Sequence, residues 1–245
     1  MTMLTHTEIE ALKKFRLSTE KAAKSRSGVD FLSPEQLQAI FHEDLADKLN
    51  TDKQHVIGSM LVKSYAFLAA LILHAMSHYD KGINSSLEQV AVQTNDTGPF
   101  WLPSFYFHKL DVTLPNGDRD EWRSTIVSQL FRENISKVIT AIAQYARLSK
   151  RILWENVATY IFWMYESLLE ESLSEERREI VRKDFHYVIN EASADIFGET
   201  SNPLTPFYVK KENNLRMRKT CCLFYLTSTN QDRCQNCPLV CKKHK

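Results

Sequence analysis

Between Val56 and Met76 only Lys63 and His74 interrupt a run of residues that is otherwise apolar or small and neutral at nearly every helical angle. A helix hydrophobic all round has to be surrounded by other elements, so this stretch is predicted to lie at the centre of its lobe. Its uncharged part, Ser64 to Met76, is too short to span a bilayer, which takes roughly 20 apolar residues, and reads as a buried helix. Met1 to Ala23 is polar and charged, without the apolar centre of a signal peptide. The sequence is therefore expected to be that of a soluble, cytoplasmic protein with no transmembrane segment.

Capping patterns divide the remainder. Thr7-x-x-Glu10 opens a short helix through about Phe15. Ser33 followed by Pro34 and Gln36 starts a helix that buries Leu37, Ile40, Phe41, Leu45 and Leu49. Thr51-x-x-Gln54 caps the central helix. Asp118-x-x-Glu121 opens a stripe of Trp122, Ile126, Leu130, Ile135, Val138, Ile139 and Ile142, with Asn134 a possible break. Leu153, Val157, Tyr160, Ile161, Met164 and Leu168 mark an amphipathic helix. Ser172-x-x-Glu175 caps another, with Ile180, Val181, Phe185, Val188 and Ile189 inward. Phe197-Gly198 is a helix stop, and Asn202-Pro203 with Pro206 forms a linker into the tail.

The texture changes from Gly82 to Gly117. Val90-x-Val92 and Leu110-x-Val112-x-Leu114 alternate with period two around the aromatic run Phe100 to Phe107, and Asn95 to Pro99 and Pro115 to Asp118 are turn clusters. The aromatics, Trp101 and Phe107 among them, are expected in the core of a small antiparallel sheet, and His108 on its surface. With only six glycines and seven prolines, a turn-rich barrel or sandwich is excluded. The fold class is α+β and predominantly helical: two helical lobes around a small central antiparallel sheet, with a small C-terminal module. The boundaries fall at 1–117, 118–205 and 206–245. No phosphate loop, nucleophile elbow or His-Glu-x-x-His helix gives this body a catalytic signature of its own.

All five cysteines lie in the last 25 residues. Cys221 and Cys222 are adjacent, Cys234-x-x-Cys237 follows after eleven residues, and Cys241 and His244 come behind. In a reducing compartment such a group is a metal or redox site rather than a disulfide set. A Cys-x-x-Cys turn directs two thiolates to one side, and Pro238 stiffens its exit. A vicinal pair in an extended strand would face opposite ways, so it shares a centre only through a backbone turn or with a two-metal cluster. A [2Fe-2S] cluster, with two thiolates per iron, suits two pairs. Three other readings stay open: a Cys234, Cys237, Cys241, His244 zinc site, a reactive or disulfide-bonded vicinal dithiol beside Arg218, and a metal-free tail.

The run Arg218 to Tyr225, followed by Cys234-x-x-Cys237-Pro238-Leu239, resembles the C-terminal signature of FhuF-like ferric-siderophore reductases. In that family two adjacent cysteines, a loop of about ten residues and Cys-x-x-Cys hold a [2Fe-2S] cluster. Weaker likeness extends over Leu153 to Val157 and Asn202-Pro203, while the first 115 residues add little. The resemblance implies Cys221, Cys222, Cys234 and Cys237 as cluster ligands and Cys241 as a bystander, the longer loop being absorbed at Thr227 to Asn230. It also implies one-electron reduction of Fe(III) in a siderophore or citrate-type chelate. The partners would then be that chelate, an electron donor such as a ferredoxin or flavoprotein reductase, and transiently an uptake transporter, with no nucleic acid.

The net charge of +1 names no partner, but the tail is locally basic. Lys210, Lys211, Arg216, Arg218 and Lys219 precede the thiols against one acid, Glu212, and Lys242, Lys243 and Lys245 follow. Lys210, Lys211, Arg216 and Arg218 are candidate approach residues for an anionic chelate, although such a collar also serves solubility alone. The alternative function is a zinc or iron–sulfur sensor or nucleic-acid-binding protein with a non-catalytic metal module. A siderophore-binding or assembly protein with a structural cluster is a third reading, without the His-x-Gln-Asn motif of the synthetases.

Overall fold

The computed structural model describes residues 2–94 and 101–241, with the Cys241 side chain outside the description. In chain order the elements begin with β1 (Thr2–Met3), α1 (His6–Leu12), β2 (Leu17–Ser18), β3 (Ser25–Ser27), α2 (Pro34–Ala39) and α3 (Gln54–Tyr79). The strands β4 (Gly82–Ile83), β5 (Val90–Gln93), β6 (Ser104–Phe107) and β7 (Asp111–Thr113) follow. The rest is helical: α4 (Arg119–Leu130), α5 (Ser136–Tyr145), α6 (Lys150–Glu170), α7 (Glu175–His186) and α8 (Pro238–Cys241). The fold is α+β and mainly helical, as the periodicities require.

The all-round apolar helix is α3, and α6, α1, α4, α5 and α7 pack around it. By length and hydropathy α3 could cross a membrane, but its apolar window is 83% buried inside this fold. Gly58 lets α5 pack close against α3: a Cβ there would stand 2.9 Å from the Ala146 Cβ and 3.0 Å from Ile142. A single hydrophobic core runs from Leu4 to Phe207.

Several helix starts differ from the sequence patterns. Thr5, not Thr7, caps α1, because its hydroxyl accepts from Glu8 N while the Glu8 carboxylate accepts from Thr5 N at 2.7 Å. Lys53 occupies the cap of α3, and the Thr51 hydroxyl accepts from Lys53 N outside the helix. Ser174 caps α7 in place of Ser172, accepting from Arg177 N at 3.2 Å. Asp118 caps α4 through Asp120 N. Each true cap is the residue whose backbone is already extended where the helix begins. The break near Asn134 is a π-helical turn, Phe131–Ile135, which carries the buried Asn134 amide to the Tyr65 hydroxyl (2.7 Å) and the Ser85 carbonyl (2.6 Å).

The strands form two sheets. One is antiparallel, in the order β1-β7-β4. The other runs β2-β6-β5-β3, with β2 parallel to β6. Trp101, Phe105 and Phe107 are buried and His108 is exposed. The turn cluster Asn95 to Pro99 and Phe100 lie outside the described residues. Asn202 does more than link: its amide donates to the carbonyls of Val188, Ile189 and Ala192, docking the chain after Gly198 onto the end of α7.

Asp184 is fully buried and accepts a two-pronged bond from Arg119 (2.8 and 2.9 Å) and a third from Arg123 (3.3 Å). Arg119 also bonds Asp80, which ends α3 in a left-handed turn, and Arg177 reaches the same carboxylate. Removing the acid takes the buried carboxylate from two guanidinium groups, leaving Arg119 with Asp80 and Arg123 with the exposed Asp120. Asp184→Ala is expected to cost about 3–5 kcal/mol, read as a lower midpoint in urea unfolding.

Candidate metal centre

The cysteine segment is held against α3 and α6 by a small buried polar set. Leu153, Trp154, Val157 and Ala158 are all buried, and so are Glu155 and Asn156 between them. The Glu155 carboxylate accepts from Lys219 N at 2.5 Å, from Thr220 N at 2.7 Å and from the Thr220 hydroxyl. Asn156 accepts from the Arg218 guanidinium at 2.6 Å and donates to the Ser59 carbonyl and hydroxyl. The Ser59 hydroxyl in turn donates to the Cys222 carbonyl at 2.7 Å. Two helices thereby fix the backbone on both sides of Cys221, and on the N-terminal side the bonds are charge-assisted, the stronger class of hydrogen bond.

The second cysteine pair is tied to the first: Arg218 N donates to the Asn236 carbonyl, and Cys237 N closes the turn onto the Cys234 carbonyl, both at 3.0 Å. Leu223 takes a left-handed conformation directly after Cys222, and its N–H points at the Cys221 sulfur at 3.4 Å. Between the two pairs the chain makes a turn in which Ser228 donates to Asp232 and Gln231 is left-handed.

All four described cysteines are free thiols. They meet as two contacting pairs, Cys222 with Cys234 and Cys221 with Cys237. Cys222 and Cys237 are buried, while Cys221 and Cys234 are half-buried. The hydrogen bond from Cys234, aided by Lys63 and Arg218, pulls the Cys222 thiol down to about 5. Cys234 is pushed up, first by that same bond and then by burial. Burial raises Cys221. Among the described residues no three His, Cys, Asp or Glu side chains already form a set able to grip one ion. Four soft sulfur donors in two pairs, with Lys63 and Arg218 set beside Cys222, fit a thiolate-held iron–sulfur group by donor type.

The basic residues take different positions. Lys210 is exposed. Lys211 pairs with Glu166 at 2.8 Å, and Arg216 bonds the same carboxylate while lying 4.3 Å over the Tyr208 ring. Arg218 is buried beside the thiols. Lys242, Lys243, His244 and Lys245 lie outside the described residues. The zinc alternative rests on His244 and on the Cys241 side chain, so half of its donors fall there too.

Residues 59–218 match the family model described as ferric iron reductase FhuF-like transporter, and residues 218–239 match the one described as FhuF 2Fe-2S C-terminal domain. The chain belongs to the FhuF-like family. The family match reaches back to Ser59, over most of α3 and the strands β4 to β7, well before the motif-bearing stretches. No curated protein matches the chain. Within the family segment lie both ends of the polar clasp, Ser59 and Arg218, and of the two only Arg218 belongs to a recognisable motif. For the rest of the clasp the legible signal was the weaker family likeness over Leu153 to Val157, which contains Glu155 and Asn156.

Two outcomes follow for the clasp and the thiols. Glu155→Ala is expected to lose about 3–5 kcal/mol, since it leaves Arg218 buried without a carboxylate, whereas Lys211→Ala, at an exposed pair, loses about 0–1 kcal/mol; thermal unfolding of the two variants measures the contrast. In cluster-free protein the Cys222 value lies below that of an ordinary thiol, so the proton is bound below about pH 5 and lost above it. A titration of thiolate ultraviolet absorbance should show that step, and Cys234→Ala should move it upward.

Proposed function

We propose that the chain is a ferric-siderophore or ferric-chelate reductase in which Cys221, Cys222, Cys234 and Cys237 hold one [2Fe-2S] cluster. The observation that carries this reading is the pair of thiol contacts, Cys222 with Cys234 and Cys221 with Cys237, inside the segment matched by the 2Fe-2S domain model. When bound, such a cluster supplies a single electron at a time. Reduction to Fe(II) weakens hard oxygen coordination, so one electron releases iron without destroying the chelator.

The protein's own residues set up that transfer. Glu155 and Asn156 orient the cysteine backbone, and Lys63 and Arg218 set positive charge against the thiolates. Positive charge near a thiolate-held centre favours its reduced, more negative form. Lys210, Lys211, Arg216 and Arg218 are the approach cations of this reading, with Glu166 offsetting part of the charge of Lys211 and Arg216. The electron comes from a ferredoxin or flavoprotein reductase, and the work is done in the reducing cytoplasm, without nucleic acid.

Purified protein is expected to be red-brown, to contain iron and acid-labile sulfide in equal amounts, and to bleach with dithionite. The reduced protein should transfer iron from a ferric chelate to a ferrous-specific trap. Cys222→Ser should abolish the colour and Cys241→Ser should keep it. Colourless protein containing zinc, with the opposite pattern in the two variants, would establish the non-catalytic metal module instead.

A further inference from the structure

The two thiol contacts cut across the order of the chain. Cys222 meets Cys234 and Cys221 meets Cys237, so each contact joins one residue of the vicinal pair to one residue of the Cys-x-x-Cys turn. The vicinal cysteines thus divide between two partners instead of closing on one. A two-iron cluster takes two thiolates on each iron, and thiolates on the same iron are close neighbours.

The two contacts are matched in most properties that set a potential. Each has one buried sulfur, Cys222 or Cys237, and one half-buried sulfur, Cys234 or Cys221. Each receives a backbone N–H, from Phe224 at Cys222 and from Leu223 at Cys221. They differ in charge. Lys63 lines a groove of about 340 Å³ together with Cys222 and Cys234, and neither Cys221 nor Cys237 borders it. Its charge acts on both of those sulfurs, whereas Cys221 is governed by burial, the Leu223 N–H and the other thiols. The Lys63 ammonium lies 4.8 Å from the Phe224 ring and, among the described residues, pairs with no carboxylate. Arg218 borders the same groove, but Glu155 at 3.7 Å and Asn156 already hold it. Phe67, Tyr160 and Trp163 complete the wall, and their apolar faces keep water from one side of the lysine, which weakens screening of its charge.

We infer that Cys222 and Cys234 hold one iron of the cluster and Cys221 and Cys237 the other, and that Lys63 makes the Cys222 and Cys234 iron the one that carries the transferable electron. The inference rests on the [2Fe-2S] reading above and assigns its ligands iron by iron. Added negative charge settles where a cation offsets it. The single electron received from the donor protein therefore resides at the groove end until it passes to ferric iron, which becomes ferrous. Lys63 acts through its charge, as a positioning residue.

Holoprotein is suited to the test because each ligand cysteine precedes a different residue: Cys222, Leu223, Gln235 or Pro238. Carbon-13 cysteine combined with nitrogen-15 leucine or glutamine therefore identifies Cys222 and Cys234 in carbon-detected magnetic resonance spectra. In a reduced, antiferromagnetically coupled cluster, thiolates on the ferrous iron show small hyperfine shifts that grow on warming. Those on the ferric iron show large shifts that shrink. Cys222 and Cys234 should behave together as the first kind, and Cys221 and Cys237 as the second. In dye-mediated titrations Lys63→Met should favour the oxidised cluster about tenfold, a potential about 59 mV more negative, with the visible spectrum of the oxidised protein kept. Lys63→Arg should restore most of that loss. Shared behaviour of Cys221 with Cys222 would overturn the ligand pairing. Ferrous-type shifts on Cys221 and Cys237, equal shifts on all four, or an unchanged potential in Lys63→Met would overturn the assignment of the electron. Protein without iron and sulfide defeats the [2Fe-2S] reading and this inference with it. Holoprotein that shows the expected shifts yet delivers no iron from a ferric chelate to the ferrous trap defeats the reductase reading alone.

Discussion

A helix that is apolar on every face must be wrapped completely, and that requirement places α3 at the centre of this fold. Its partners are helices on most sides and short strands where the chain leaves it. The cost of such a core is that polar groups inside it need partners within reach. Ser59 near the start of α3, and Glu155 with Asn156 in α6, are buried at the same contact between the two helices. None of the three satisfies another in full. Their remaining hydrogen bonds go to the segment carrying Arg218, Thr220 and Cys222, so the core's unmet polar capacity is what docks the cysteines.

This arrangement makes the metal centre part of the fold rather than an appendage. The chain after Phe207 has few apolar anchors of its own, as Phe224 to Leu226 are half-buried and Lys210 to Asn214 are mostly exposed. Its order comes from charge-assisted bonds to Glu155 and Asn156 and from the Glu166 pairs of Lys211 and Arg216. A thiol placed by a rigid helix–helix contact keeps its electrostatic surroundings fixed, and so its ionisation. Cys222 is the clearest case, with a hydrogen-bond donor on one side and two cations nearby.

Much of this was legible in the sequence, for unequal physical reasons. Long periodic stretches such as Leu153 to Leu168 announce themselves because burial repeats every turn. The aromatic run read as sheet core, and Trp101, Phe105 and Phe107 are buried there. Helix caps were displaced by two residues at Thr5 and Ser174, because several Ser, Thr and Glu spacings satisfy the same pattern and only backbone conformation chooses between them. The edge strands β1, β2 and β3 span two or three residues, too few for any alternation to register. At the site, the thiols were visible through their spacing, whereas Ser59, Lys63 and Trp163 lie far away in the chain and carry no pattern. Glu155 and Asn156 entered only through the weaker family likeness over Leu153 to Val157.

The basic residues of the tail show why counting charge in a sequence misleads about its use. Lys211 and Arg216 look like free cations in the chain, but both are drawn to one carboxylate, Glu166, and Arg216 also lies over Tyr208. Arg218 is desolvated, where its charge acts on Cys222 and is shared with Asn156 and Glu155. The cation that faces the thiols without a carboxylate of its own is Lys63, from the middle of the most apolar stretch in the chain. A charge in that setting is screened less by water than one in a basic tail. Among the described residues, the cations acting on Cys222 are therefore one lysine on the core helix and one buried arginine, not the tail residues that a count of charge would pick out.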